Sequence, residues 1–146
     1  MDLGIAGRKA IICASSRGLG RACALALAEA RCEVVINGRD NARLDATAAE
    51  IRAATGVRVT AVATDVATAA GQAALLAACP EPDILVNNNA GPPFRDFREL
   101  TRENMLDGVI ANMVTAIELI QKVIDPMSRR RFGRIVNISS ISRRDR

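Results

Sequence analysis

Three residue types that often transfer protons in enzymes are absent or rare in this sequence of 146 residues. It contains no tyrosine and no histidine, and its only lysines are Lys9 and Lys122. Histidine, lysine and tyrosine are among the side chains that act as general acids and bases in enzymes. The sequence therefore excludes tyrosine and histidine as proton donors of its own, and it offers only two lysines.

Long apolar runs and closely spaced cysteines are missing as well. No run approaches the roughly 18–20 apolar residues that span a bilayer, and residues 1–4 lack the charged-then-apolar plan of a signal peptide. No C-x-x-C pair of the zinc-binding or redox type is present. We therefore expect a cytoplasmic protein with no membrane partner and no metal site. The cysteines are expected to behave as small buried hydrophobic residues: Cys13, Cys23, Cys32 and Cys79.

The charge balance raises nucleic-acid binding as an alternative. The net charge is +4 and the isoelectric point is near 9.3, and a basic patch can bind phosphates by releasing counterions. Arginine clusters occur only at 129–131 and 143–146, without the interleaved aromatic residues of a stacking surface. They are typical of solvated turns, so no nucleic-acid partner is expected. With 49% hydrophobic and 25% charged residues, the chain should fold.

Short runs rich in valine and isoleucine alternate with longer stretches of helical period. This order predicts repeated strand–helix–strand units and a parallel sheet. The predicted strands are Lys9 to Cys13, Glu33 to Asn37, Arg58 to Ala63, Asp83 to Val86 and Arg134 to Ile138. The predicted helices are Gly20 to Ala30, Asn41 to Ala54, Ala69 to Ala78 and Arg102 to Met127.

The expected fold class is α/β, a Rossmann-type doubly wound sheet with strand order 3-2-1-4-5 between two helical layers. Asp40 and Thr101 should cap the second and fourth helices, and Gly56 should end the second. Residues 1–146 are interpreted as one incomplete domain. Its fifth strand should form an uncovered edge, and residues 141–146 should form a disordered tail.

A glycine-containing turn follows the first strand and opens a helix. In this context Gly18 allows the backbone to approach a pyrophosphate, and Gly20 allows the helix to pack closely on the sheet. The helix N-terminus offers free N–H groups to the anion. The alternative is a plain strand-to-helix turn. The candidate dinucleotide-binding residues are Ala14, Ser15, Ser16, Arg17, Gly18, Leu19 and Gly20.

The second strand ends without the acidic residue that binds the adenosine ribose hydroxyls in NAD enzymes. Arg39 follows it, and Arg39 together with Arg17 could hold a 2′-phosphate through charge-assisted hydrogen bonds. Each arginine alone could be an ordinary surface residue. Taken together, the two favour NADP(H) over NAD(H) as the cofactor.

The glycine turn resembles the Thr-Gly-x-x-x-Gly-x-Gly turn of short-chain dehydrogenases/reductases, with Cys13 in place of threonine and Ala14 in place of the first glycine. We expect Ala14 to have a negative φ, so that its methyl group costs little. The segment Gly133 to Ser140 resembles the family's Gly-x-Ile-Val-Asn-Ile-Ser-Ser.

The resemblance also implies cofactor contacts after the third and fourth strands. Asp65 and Val66 match the Asp and the following amide that meet the adenine ring, although Asp65 could instead cap a helix near Thr68. The run 87–91 contains one asparagine more than the family's Asn-Asn-Ala-Gly. The motif, which closes the cofactor cleft and braces the sheet, is assigned to Asn88, Asn89, Ala90 and Gly91, with a possible shift of one residue.

Two further residues match catalytic positions of the family. Asn112 is expected on the apolar face of the fourth helix, where a buried amide needs partners. The resemblance implies that it holds a water of the proton relay, and the alternative is an asparagine satisfied by neighbouring backbone. Ser140 matches the serine that orients the substrate carbonyl or alcohol, and the alternative is a serine that merely ends a strand. The expected apolar face comprises Met105, Val109, Met113, Ala116, Ile117, Ile120 and Val123.

By this resemblance the chain is an NADP-dependent oxidoreductase similar to 3-oxoacyl-acyl-carrier-protein reductases, which transfers hydride between NADPH and a ketone or secondary alcohol. The family's catalytic Tyr-x-x-x-Lys pair is absent, and neither lysine is placed to replace it. We therefore expect an inactive, truncated chain. The alternative is a non-catalytic remnant that binds a dinucleotide or pairs subunits. The resemblance and the uncovered edge strand also lead us to expect a homo-oligomer formed through the fourth helix. The substrate cannot be read from the sequence.

Overall fold

A computed structural model describes residues 2–89 and 95–139. The chain forms a parallel sheet of five strands in the order β3-β2-β1-β4-β5, as predicted. The strands are β1 (Lys9–Ile12), β2 (Glu33–Gly38), β3 (Val59–Ala63), β4 (Ile84–Asn87) and β5 (Arg134–Asn137). The predicted residues 90, 91 and 140–146 lie outside the described ranges.

Helices connect the strands on both faces of the sheet. They are α1 (Gly18–Glu29), α2 (Asn41–Thr55), α3 (Ala69–Ala78), α4 (Arg102–Val109) and α5 (Thr115–Arg129), with a 3₁₀ turn at Phe97–Glu99. The predicted caps are confirmed. The Asp40 carboxylate accepts from the Arg43 N–H, Gly56 ends α2 at φ +71°, and Thr101 and Asn104 form a capping box.

Two apolar clusters hold the three layers together. One lies between the sheet and the α1–α2 layer, with Ile12 and Ile36 facing Leu44 and Ala28. The other lies between the sheet and the α3–α5 layer, with Ile11 and Leu85 facing Leu75, Leu119 and Val123. Adjacent residues of β1 thus enter opposite clusters, which explains why its sequence is continuously apolar.

The fourth predicted helix differs from the prediction in its middle. It was expected to run unbroken from Arg102 to Met127, but a π-helical segment, Ile110–Val114, separates α4 from α5. A π segment inserts a residue into the helical repeat, and each residue advances an α-helix by about 100°. The inward row nevertheless keeps α-helical spacing through this segment, from the half-buried Asn104, Gly108 and Ala111 to the buried Thr115 and Leu119.

The predicted apolar face is wrong on both sides of this segment. Met105, Val109, Met113 and Ile117 are 44–54% exposed, whereas α5 buries a different row. The buried residues of α5 are Thr115, Leu119, Val123 and Met127. Val123 alone of the predicted set is fully buried, while Ala116 and Ile120 are half-buried.

Within the described ranges, no helix has the length and apolar character needed to cross a membrane. Strand β5 forms one edge of the five-stranded sheet, and Val136 on this strand is 44% exposed.

Candidate functional site

An open cleft of about 350 Å³ lies at the carboxyl ends of β1, β2, β3 and β4. In doubly wound sheets ligands bind at this end, where the strand order reverses. The cleft brings together most of the predicted cofactor residues, and Arg43 joins them. Its lining includes Ala14, Ser16, Arg17, Gly18, Leu19, Arg39, Asp65, Val66, Asn88 and Asn89.

Among the predicted cofactor residues that the structure describes, two do not line the cleft but build its wall. Ser15 is fully buried, and its hydroxyl donates to the Ile12 carbonyl at 2.7 Å. The same hydroxyl accepts from the Asn37 N–H at 2.9 Å. Gly20 is buried beneath the turn, where an added Cβ would lie 2.3 Å from the Ala14 carbonyl oxygen. Only glycine allows α1 to start this close to β1.

Ala14 contradicts the expectation of a negative φ, because its φ is +46°. This is the left-handed region, where a Cβ costs roughly 1–2 kcal/mol. Two contacts hold the strained residue in place. Its N–H donates to the Asn37 Oδ1 at 3.3 Å, and its carbonyl accepts from the Asn88 Nδ2 at 3.1 Å. The alanine thus keeps a conformation that glycine would adopt at lower cost.

Replacing Ala14 with glycine should relieve this strain. We expect Ala14→Gly to raise the free energy of unfolding by about 0.5–1 kcal/mol, after subtracting the greater chain entropy of an unfolded glycine. Urea unfolding measures the change. The matched control is Ala26→Gly, on the exposed side of α1, which should lose about 1 kcal/mol. Equal losses in both variants would contradict strain at Ala14.

Asn37 is a positioning residue that the sequence analysis missed. Its side chain is buried, and its Nδ2 donates to the carbonyls of Val62 at 3.1 Å and Thr64 at 3.0 Å. Because its Oδ1 also holds Ala14, this amide fastens the glycine turn to β3. A polar residue inside an apolar strand requires such partners, and that signal could have identified it.

The N-terminus of α1 points its free N–H groups at the cleft. Arg17 occupies the N-cap position, and within the described part of the chain no side chain caps this helix. The first N–H groups of a helix lack partners in the helix itself, and the helix dipole attracts negative charge there. The arrangement suits an anion such as a pyrophosphate.

The cleft carries more positive than negative side chains. Arg17, Arg39 and Arg43 line it together with Asp40 and Asp65. Arg43 lies 3.9 Å from the Asp40 carboxylate, whereas Arg17 and Arg39 make no ion pair within the described ranges. Arg43 was not predicted, although its place one turn into α2 could have suggested it.

Asp65 forms a local turn rather than the helix cap considered as its alternative. Its Oδ1 accepts from the Ala67 N–H at 2.9 Å, while the Thr68 hydroxyl caps α3 through Gly71. An added Cβ at Gly71 would lie 1.9 Å from the Asp65 carbonyl oxygen. Gly71 therefore lets α3 pack against this wall of the cleft, and the sequence analysis missed it.

Asn88 and Asn89 connect the end of β4 to its neighbours. Asn88 braces the glycine turn, as described for Ala14, and the Asn89 Nδ2 donates to the Ala111 carbonyl in the π segment at 2.9 Å. The bracing role assigned to this motif thus has a contact at each of these asparagines. The motif's Ala90 and Gly91 lie outside the described residues.

Asn112 does not occupy a buried face. It is exposed, and its Nδ2 donates to the Gly108 carbonyl one turn earlier at 2.9 Å. This contact matches the alternative interpretation, an amide satisfied by neighbouring backbone. Met105, Val109 and Met113 of the predicted row are exposed as well, so the whole row is exposed and not Asn112 alone. Ser140, the other predicted catalytic residue, lies outside the described ranges.

Cys13 lies directly below the glycine turn. Burial raises the pKa of its thiol to about 12. The thiol therefore stays protonated at neutral pH and is a poor nucleophile. Cys32 and Cys79 are buried as well, and burial raises the pKa of each thiol. These three cysteines confirm the prediction of small buried hydrophobic residues, while Cys23 is half-buried.

A parallel sheet of this order, with a glycine turn, a helix N-terminus and basic side chains around one cleft, defines a Rossmann-type α/β protein. The family model described as short chain dehydrogenase matches residues 8–145, and the chain belongs to that family.

Relatives with assigned activities are similar in sequence to this chain. The chain is 35% identical over 141 residues to L-xylulose reductase of Mesocricetus auratus, covering 96% of this chain and 56% of that protein. It is 30% identical over 148 residues to 3-oxoacyl-acyl-carrier-protein reductase of Aquifex aeolicus, covering 97% of this chain and 58% of that protein. The chain therefore spans a little over half the length of these relatives.

Solved structures match the fold. L-sorbose reductase of Gluconobacter frateurii, in complex with NADPH and L-sorbose, superposes with a TM-score of 0.86 at 32% identity. The match covers 92% of this chain and 53% of that one. A short-chain dehydrogenase of Sphingobium yanoikuyae in complex with NADPH gives a TM-score of 0.84 at 30% identity, covering 92% and 54%.

Proposed function

We propose that the cleft binds NADP(H) in preference to NAD(H). The observation that carries this proposal is the convergence of Arg17 and Arg39 on one cleft at the N-terminus of α1. Both are exposed and free of ion pairs within the described ranges, so both are available to a 2′-phosphate. Two solved relatives bind NADPH, which supports the same cofactor here.

The remaining cofactor contacts are part of the proposal. The N–H groups beyond Gly18 would hold the pyrophosphate, and Leu19, 65% exposed at the cleft, would cover it. Asp65 and Val66 would contact the adenine ring. Asn88 and Asn89 would close the cleft, together with Ala90 and Gly91. When bound, the cofactor supplies the hydride, and these residues only bind and orient it.

Removing both arginines should abolish the cofactor preference. We expect the double variant Arg17→Ala and Arg39→Ala to bind NADPH about 10- to 100-fold more weakly, because charge-assisted hydrogen bonds to the phosphate are lost. NADH binding should stay nearly unchanged. Titration of nucleotide fluorescence with the purified protein measures both affinities.

The matched control for this experiment is Arg21→Ala. Arg21 belongs to the same helix, but it pairs with Glu50 at 2.7 Å and does not line the cleft. This variant should keep the preference for NADPH. A double variant that still favours NADPH would refute the assignment of Arg17 and Arg39.

We also propose that the protein derives from an oxidoreductase that transfers hydride between NADPH and a ketone or secondary alcohol, of the 3-oxoacyl reductase type. The family match supports this reaction class. In this proposal Asn112 holds a water of the proton relay and Ser140 orients the substrate oxygen. The chain itself is proposed to be inactive, because it contains no tyrosine for the proton transfer. A non-catalytic dinucleotide-binding or subunit-pairing module is the second candidate, favoured by the same absence.

Association of the chain with itself is proposed through α4 and the π segment. Apolar side chains lie exposed along this stretch, with Met105 at 51%, Val109 at 44% and Met113 at 54% exposure. An apolar patch of this kind favours association. Light scattering should therefore show dimers or larger species. A clean monomer at high concentration would count against the proposal.

Charged substitutions test which surface associates. The double variant Val109→Asp and Met113→Glu should shift the scattering mass toward the monomer. The control is Leu3→Glu, which should leave the scattering mass unchanged. Leu3 is 60% exposed and lies far from this stretch in the sequence. Equal effects from both would assign the association to another surface.

We propose a cytoplasmic location for the protein. All four cysteines are unpaired, and three of them are buried. Disulfides form in oxidising compartments and are rare in the cytosol, which supports this location. Fractionation of cells that express the tagged protein would test it.

A further inference from the structure

A small cavity lies behind the cofactor cleft, between the end of β4 and the π segment. Its volume is about 20 Å³. Asn88 and Asn89 line both the cleft and this cavity, so the end of β4 separates the two. A cavity of roughly 10–15 Å³ is large enough to hold one water molecule. The volume therefore suits a single water and no larger ligand.

Asn87, the last residue of β4, lines this cavity, and its side-chain carbonyl oxygen makes no hydrogen bond. Asn87 is 5% exposed, and its Nδ2 donates to the Asn137 Oδ1 on β5 at 2.9 Å. Its Oδ1 is buried and has no hydrogen-bond partner. A buried carbonyl oxygen without a partner costs roughly 1–3 kcal/mol. Such an atom in a native fold calls for an explanation.

Exchanging the two ends of the Asn87 amide does not remove the unused group. In that orientation the Asn87 Oδ1 would face the Asn137 Oδ1, so the Asn137 amide would have to be exchanged as well to donate to it, and the Asn87 Nδ2 would take the place of the unpartnered oxygen. One polar atom of Asn87 therefore stays without a protein partner in either orientation. Only a group that can both donate and accept hydrogen bonds satisfies both cases, and water is such a group.

The rest of the cavity wall offers further polar groups. Asn88, Asn89, Asn112 and Thr115 line it, beside apolar walls from Leu119 and Ile138. The Thr115 hydroxyl donates to the Ile110 carbonyl at 2.8 Å, which leaves its oxygen able to accept a hydrogen bond. Buried waters make two to four hydrogen bonds to such groups, and this wall can supply them.

We propose that one buried water molecule binds in this cavity to the side chain of Asn87 and joins the end of β4 to the π segment. Two hydrogen bonds already connect these elements: Asn89 after β4 donates to Ala111 in the π segment, and Asn87 on β4 donates to Asn137 on β5. The water adds a third connection between them. It holds the π segment against the ends of β4 and β5. This proposal does not depend on which dinucleotide the cleft binds.

Two measurements on the whole chain test the site. A high-resolution crystal structure should show an ordered water within hydrogen-bonding distance of the Asn87 amide. In solution, NMR spectra should show cross-relaxation between water and the methyl groups of Leu119 and Ile138. The variant Asn87→Leu, similar in shape but apolar, should lose these cross-peaks. Asn87→Asp, which keeps an oxygen in the cavity, should retain them.

The control is Asn41→Leu, the same chemical change at an exposed residue of α2, which should leave the cross-peaks intact. A folded wild-type chain with neither the ordered water nor the cross-peaks would overturn the proposal. Cross-peaks that survive in Asn87→Leu would also overturn it. If Asn87→Leu fails to fold, the wild-type measurements and Asn87→Asp still decide.

Discussion

Replacing Gly20 with alanine is expected to lower the free energy of unfolding by about 3 kcal/mol or more, because an added methyl would overlap backbone that cannot move freely. The new Cβ would lie 2.3 Å from the Ala14 carbonyl oxygen and 2.9 Å from the Asn88 Nδ2. Both atoms belong to the hydrogen bond that holds the glycine turn to β4. The turn would have to open, so NADPH binding should weaken as well.

Gly18→Ala is the matched control, since it separates steric overlap from backbone conformation. Gly18 has φ +57°, but an added Cβ would meet no atom within 4 Å. We expect this variant to lose only about 1 kcal/mol. Urea unfolding of both variants gives the comparison. A smaller loss for Gly20→Ala than for Gly18→Ala would show that the close approach of α1 to β1 is wrong.

The 146-residue chain is expected to reduce ketones at least about 10²- to 10⁴-fold more slowly than a family member that has the Tyr-x-x-x-Lys pair, because it has no tyrosine to act as the general acid. Asn112 and Ser140 match positions that orient water and substrate, and the cleft can hold the hydride donor. No tyrosine or histidine is present to protonate the forming alkoxide. Water would have to deliver the proton.

The measurement is NADPH consumption with a panel of ketones and 3-oxoacyl thioesters. The wild type and Ser140→Ala should both be near background, while nucleotide titration of the same samples shows whether the cofactor binds. Binding without turnover supports the non-catalytic module. Rapid turnover that Ser140→Ala abolishes would reveal an unrecognised proton donor and would contradict the proposed inactivity.

Most of the fold could be predicted from local sequence patterns. Strand positions follow from short apolar runs, and the caps at Asp40, Gly56 and Thr101 follow from side chains that act on their own helix. The strand order follows from general rules of right-handed connection. These signals extend over a few residues or apply to all parallel sheets, so they can be recognised without knowing which distant segments meet.

The errors arose where distant segments decide the conformation. Ala14 has a positive φ because Asn37 on β2 and Asn88, directly after β4, hold its N–H and its carbonyl. Asn112 is exposed because a neighbouring row of the helix faces the sheet, and on that row the Ala111 carbonyl accepts from Asn89. Apolar periodicity selected the row of Met105, Val109 and Met113, and it cannot show which row a distant side chain holds against the sheet.

The sequence by itself determined the α/β order, the strand order, the glycine turn and the lack of a tyrosine for proton transfer. Only the tertiary structure decided that Arg43 joins Arg17 and Arg39, and that Asn37 and Gly71 shape the cleft. The arginines come from different elements and meet only in the folded cleft. Asn37 and Gly71 act on backbone that is distant along the chain or on a neighbouring turn. Spacing along the chain records the period of one element, whereas a site depends on how several elements pack together.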